Sequence, residues 1–180
     1  AFQRAVPTAA YLMPEFQNPT GRTMTDRERA RFAEQASAMG TTLIVDETTG
    51  ELDIDRDAAP APLAALTRAH HGLRVITIGS LGKTVWGGLR VGWIRSDADT
   101  IRRLLAMRPA HDLGTPDFEQ AVAEHVLERM PEVLAGRAAL LGASRDALVR
   151  GLRRTFPEWR VPEVRGGVAL WVGLGVPQSS

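Results

Sequence analysis

The stretch RVITIGSLGKTVWGGLRVGWI, residues 74–94, holds two apolar runs joined by a short glycine-rich connection. Arg74 to Gly79 is β-branched and apolar, as buried strands are, and Leu89 to Ile94 reads as a second strand. The joint between them, Ser80 to Gly88, is only nine residues long. A parallel crossover needs a dozen or more, so neighbouring strands joined this way are expected to run antiparallel. The expectation is one reversed strand in an otherwise parallel sheet.

Upstream, Ala9 to Met13 is a short apolar run closed by Pro14, and Thr41 to Val45 is a β-branched run. Between them Thr25 precedes Glu28 by three residues, the spacing of a capping box. Phe32, Ala33 and Ala36 then share one helical face and Gly40 supplies a stop. Strand, helix, strand of this length is a βαβ unit, whose crossover is expected to be right-handed. Ile54 to His71 is a connection rich in Pro and Ala.

Downstream the pattern turns helical. Ser96 and Asp97 can cap a helix to about Ala106, and Thr115 with Pro116 can open one to about Arg129. Pro131 begins a long helical stretch in which Leu134, Leu141 and Leu148 recur every seven residues, with Leu140, Leu152 and Phe156 nearby. These leucines are expected to form a core-facing stripe. Val168 to Leu174, after Gly166 and Gly167, reads as a last strand. The fold class is therefore α/β, with a mixed, mostly parallel sheet and flanking helices over residues 1–130. For residues 131–180 a long linking helix and the start of a smaller C-terminal domain are expected from the family resemblance set out below.

Composition narrows the function classes. Twenty-two basic against 21 acidic side chains leave a formal charge of +1, which argues against a general affinity for nucleic acid or anionic membrane. The absence of cysteine removes disulfides, thiolate catalysis and sulfur-ligated metals. No apolar run approaches the ~20 residues of a membrane helix, and the N-terminus lacks a signal-peptide pattern, so a cytoplasmic location is expected. The start at Ala1 and the stop at Ser180 just after an apolar run are what a piece of a longer polypeptide would show.

Three clusters fall at or just past predicted strand ends, the edge where open α/β sheets bind ligands. They are Phe16 to Gly21 (FQNPTG), Val45 to Glu47, and Ser80 to Lys83 continuing through Gly88-Leu89-Arg90 to Trp93. Singly, Asn18-Pro19-Thr20-Gly21 is a turn, Asp46 a loop-holding carboxylate and Lys83 a solvated charge. Together they are a sole lysine in a Gly-rich connection, an arginine seven positions on, and an aspartate at a neighbouring strand end.

In that order and spacing the ensemble, from about Tyr11 to Leu174, resembles the fold-type I pyridoxal-phosphate (PLP) enzymes of the aminotransferase class I and II superfamily. Within it, Tyr11 to Met24, Asp146-Ala-Leu and Gly166-Gly167 look most like the aminotransferase-like domain of MocR-type regulators of the GntR family. The resemblance implies that Lys83 is the catalytic amine, forming a Schiff base with PLP and shuttling a proton. It implies that Asp46 pairs with the pyridine nitrogen, that Asn18 bonds the ring's phenolic oxygen, and that Ser80 and Arg90 hold the phosphate. Thr48 and Thr49 stand where relatives carry a tyrosine against the ring oxygen, and Gly82 where many have Ser or Thr. The relatives' Gly-containing phosphate loop and ring-stacking aromatic would precede Ala1, and their substrate-carboxylate arginine would follow Ser180.

The function so implied is an effector-sensing domain of a MocR-like regulator whose ligand is an amino acid, an amine or PLP. A homodimer is expected, with DNA reached only through a domain outside this chain. An active PLP-dependent aminotransferase and a cofactor-free dimerisation scaffold are the alternatives. No metal site is expected. His70-His71 lie in a polar connection without partners at ligand spacing, and Asp53, Asp55 and Asp57 alternate without the glycine and terminal glutamate of a calcium loop. His111 and Asp112 read as a loop, which in relatives approaches the partner subunit's pocket. Trp86 and Trp93 read as core or interface packing rather than as covers for a ligand.

Overall fold

A computed structural model describes residues 6–56 and 58–175. Four strands form one sheet in the order β1 (Ala9–Leu12), β2 (Thr42–Asp46), β3 (Arg74–Ser80) and β4 (Gly92–Arg95). The first three are parallel, with Tyr11 beside Ile44 and Asp46 beside Ile78. β4 is antiparallel to β3, setting Gly92 opposite Ser80, as the short joint requires.

Helix α1 (Asp26–Met39) begins at Thr25, whose hydroxyl accepts the Glu28 N–H while the Glu28 carboxylate accepts the Thr25 N–H. It ends at Gly40 in the left-handed conformation, which a residue with a Cβ adopts only at a cost. Ala33 and Ala36 press α1 onto Leu43 and Val45, and Leu63, Leu73 and Val75 close the same core. A fully buried leucine such as Leu43 contributes roughly 2 kcal/mol by leaving water. A smaller cluster of Leu81, Leu89 and Ala123 lies under the Gly-rich connection. There a four-residue helix α2 (Leu81–Thr84) and a 3-10 turn, Gly87–Leu89, carry the chain from β3 to β4.

Helices α3 (Ala98–Met107), α4 (Asp117–Glu128) and α5 (Met130–Thr155) follow at the places the sequence predicts. The leucine stripe does not reach a core: no residue of α5 is fully buried, and Leu140 and Leu148 are more than half exposed. Among the described residues its main contacts are with α2 and α4, which leave much of its apolar face uncovered. Val168 to Leu174 does not form a strand either. Gly173 makes an isolated antiparallel bridge with Arg160, and Gly166 makes one with Asp53.

The Gly166 bridge closes the fold over Phe16. A Cβ at Gly166 would meet the Leu52 carbonyl oxygen at 2.5 Å and run into the Phe16 ring, itself almost fully buried. Gly166→Ala is therefore expected to cost about 1–3 kcal/mol through overpacking. Urea unfolding checks this, and an unchanged midpoint would mean that the Phe16 contact is not tight.

Candidate functional site

The parallel pairing brings the C-terminal ends of β1, β2 and β3 to one sheet edge. Asp46 closes β2 and Ser80 closes β3. Because Asp46 is beside Ile78 and side chains alternate, Asp46 and Ser80 fall on the same face, as do Tyr11 and Ile44. Asn18 lies in the loop after β1. That loop is folded back by Gly21 N–H to the Gln17 carbonyl (2.6 Å) and Met24 N–H to the Pro14 carbonyl (2.8 Å).

Asp46 is 8% exposed and forms no ion pair among the described residues. Its Oδ1 accepts the Thr48 backbone N–H at 2.8 Å, and its Oδ2 accepts the hydroxyl of Tyr11 from the neighbouring strand. Burial and the adjacent Asp46 carboxylate push the Tyr11 phenol up to about 12. The Thr49 hydroxyl is turned away from Asp46 and donates to the Glu15 carbonyl at 3.0 Å.

The Ser80 hydroxyl caps α2 by accepting the Gly82 N–H at 3.0 Å and donates to the Val91 carbonyl at 3.4 Å. Leu81 N–H bonds the same carbonyl at 3.0 Å, which fastens the segment carrying Arg90 against the start of the Lys83 helix. Arg90 sits in the left-handed conformation at the end of its 3-10 turn. Lys83 and Arg90 are both exposed, and neither side chain makes a hydrogen bond or ion pair among the described residues. The Lys83 carbonyl accepts a hydrogen bond at 3.0 Å from Arg137 of α5, 54 residues away. The Arg137 Nε is buried without a partner. Trp86 and Trp93 are both substantially exposed, each lying over a glycine, Gly88 and Gly79 respectively.

Behind this edge lies a buried charge network that sequence reasoning misses. Glu15, 8% exposed at the side chain, pairs with Arg29 of α1 and with Arg56, and Arg56 also pairs with Asp53. Arg29 further donates to the carbonyls of Met24 (3.2 Å) and Ala61 (3.3 Å), while Arg56 lies 4.4 Å over the Phe16 ring. Burial holds Arg29 below its ordinary value, and burial raises Glu47 against the pull of Arg29 and Arg95. The network ties the Asn18 loop, α1 and the loop after Asp46 into one unit.

The polar clusters away from this edge have local roles. Asp53 binds Arg56 and Asp55 binds Arg145, whereas Asp57 lies outside the described residues. Among the described residues no group of histidines and acids could hold a metal ion. Asp112 pairs with Arg108 at 2.7 Å. Among the described residues, no helix is long and apolar enough to cross a membrane.

Asp46 without a cationic partner, and Lys83 and Arg90 without side-chain partners among the described residues, thus lie along the sheet edge where open α/β sheets bind ligands. The chain belongs to the aminotransferase class I and II family, whose sequence profile matches residues 4–178. Its relatives include aromatic-amino-acid aminotransferase 1 of Thermococcus litoralis, 30% identical over 91% of this chain and 39% of the relative. They also include the HTH-type transcriptional regulator YisV of Bacillus subtilis, 31% identical over 90% of this chain and 33% of the relative. Among solved structures it is similar to LysN, the alpha-aminoadipate aminotransferase of Thermus thermophilus complexed with N-(5'-phosphopyridoxyl)-L-leucine. That likeness has a TM-score of 0.83 at 28% identity and covers 90% of this chain and 42% of LysN. The chain thus spans between a third and two fifths of the length of these curated relatives.

Proposed function

We propose that this chain binds pyridoxal phosphate at the C-terminal edge of its parallel strands and serves as the effector-sensing domain of a MocR-type, GntR-family transcriptional regulator. The observation that carries the cofactor assignment is the buried Asp46 carboxylate, which has hydrogen-bond donors but no cationic partner among the described residues. A protonated heterocyclic nitrogen would supply the missing charge. When bound, the cofactor supplies an aldehyde for amines and an electron-withdrawing ring. Lys83 would supply the primary amine for that aldehyde, and Arg90, with Ser80 beside it, would hold the phosphate through charge-assisted hydrogen bonds. Asn18 would donate to the ring oxygen. Thr48, whose hydroxyl makes no hydrogen bond among the described residues, is better able to help there than Thr49, which is bonded to Glu15.

The regulator reading is supported by the Thr48-Thr49 pair, which offers no phenol to the ring oxygen, and by the similarity to YisV. In the same reading residues 1–130 are part of the large cofactor-binding domain, and residues 131–180 are the linking helix and the start of a smaller one. A homodimer is part of it too, and the exposure of Leu105, Leu113 and Phe118 supports an apolar contact there. The ligand is an amino acid, an amine or PLP itself, DNA is contacted through a domain outside this chain, and the compartment is the cytoplasm.

The second reading is a working aminotransferase, favoured by the full set of Lys83, Asp46 and Arg90 and by the similarity to the Thermococcus litoralis enzyme. Single-turnover assays separate the two. A sensor is expected to release at most one equivalent of keto acid per site and then stop, even with a second keto acid present. Sustained turnover would overturn the sensor reading in favour of the enzyme.

A further inference from the structure

Tyr11 is the chain's one tyrosine. Positions 48 and 49, where the family resemblance places a phenol against the ring oxygen, hold threonines instead. The single phenol stands on the adjacent strand, in register with Ile44, and its hydroxyl reaches the carboxylate that ends β2. One Asp46 oxygen therefore meets a backbone N–H and the other meets Tyr11. A carboxylate has about four acceptor positions, so both donors leave room for a further N–H.

We propose that Tyr11 is a positioning residue for Asp46: its hydroxyl fixes the carboxylate and shares the negative charge that the carboxylate presents to the bound pyridine nitrogen. The proposal rests on the reading of Asp46 as the partner of that nitrogen. A donor bonded to an anion stabilises it and draws on its charge. Tyr11 thus takes up part of the negative charge that would otherwise keep the ring protonated. A ring less firmly protonated is a weaker electron sink, which suits retention of a ligand more than its conversion. The other charged groups on the cleft that Tyr11 lines, Arg22 and Glu28, pair with each other at 3.8 Å and leave the Tyr11–Asp46 pair as the coupled unit.

The test has two arms. The first needs no cofactor and follows the ζ carbon of 13C-labelled tyrosine by NMR, where the single residue gives a single resonance. The phenol is expected to titrate at about 12 in the unaltered protein and measurably lower in Asp46→Asn, which removes the carboxylate's share of the shift and leaves that of burial. The second arm loads the protein with PLP labelled with 15N in the ring. Tyr11→Phe is expected to raise the proton affinity of the ring nitrogen by roughly tenfold, the effect of one hydrogen bond to a charged group.

A phenol that titrates alike in both proteins would overturn the coupling. An unchanged ring nitrogen in Tyr11→Phe would overturn its effect on the ligand. A shifted phenol in a protein that takes up no PLP would overturn the cofactor reading of Asp46, and this role with it, while leaving the coupling measured.

Discussion

Lys83→Ala is expected to abolish the absorbance band near the visible edge that the protein acquires on incubation with pyridoxal phosphate. Lys83 is the only lysine in the chain, so no other side-chain amine can condense with an aldehyde. Its side chain is exposed, and only its backbone carbonyl is used structurally, by Arg137. The substitution is therefore expected to leave stability within about 0.5 kcal/mol, so a lost band reports chemistry and not unfolding. Lys83→Arg keeps the charge but not the nucleophile, and is expected to lose the band equally. A band retained in either variant would remove Lys83 from the site.

The largest effect on stability is expected at the buried network behind the sheet edge. Glu15 and Arg29 are 8% and 5% exposed at their side chains, and Arg56 completes the pairing. Removing one partner leaves a charge in a place that water does not reach, so Glu15→Ala and Arg29→Ala are each expected to cost about 3–5 kcal/mol in urea unfolding. Replacing Glu15 and Arg29 together with apolar side chains of similar volume is expected to cost less than the two single changes summed, because no unpaired ion remains between them. Single losses below about 1 kcal/mol would mean that the network is hydrated in solution. The network also holds the Asn18 loop against the loop after Asp46, so both single variants are expected to weaken cofactor uptake.

Local signals make much of the fold legible from the chain alone. Thr25, Glu28 and Gly40 mark both ends of α1, and a nine-residue joint forces β4 antiparallel to β3; each depends on neighbours in sequence. Asp46 and Ser80 are recognisable as strand-end residues for the same reason, and the strand order then sets them on one edge. The heptad leucines mislead because periodicity reports an apolar face without saying what covers it. Val168 to Leu174 has the composition of a strand but finds no sheet edge to join among the described residues beyond one bridge to Arg160.

The site is only half legible. Residue types at the edge can be read along the chain, but the Tyr11–Asp46 bond spans 35 positions and depends on the register of two strands. The Glu15–Arg56 pair spans 41, and each of its members, read singly, is an ordinary surface charge. Pro14 and Phe16, both buried, flank Glu15 and mark a tightly packed turn, yet they do not reveal which arginines enter it.

Borohydride reduction after incubation with pyridoxal phosphate, followed by peptide mass mapping, reads the covalent link itself. One phosphopyridoxyl group per chain is expected on Lys83, with none on Lys83→Ala. Labelling confined to any other amine, or no labelling at all, would contradict the assignment of this sheet edge as the cofactor site.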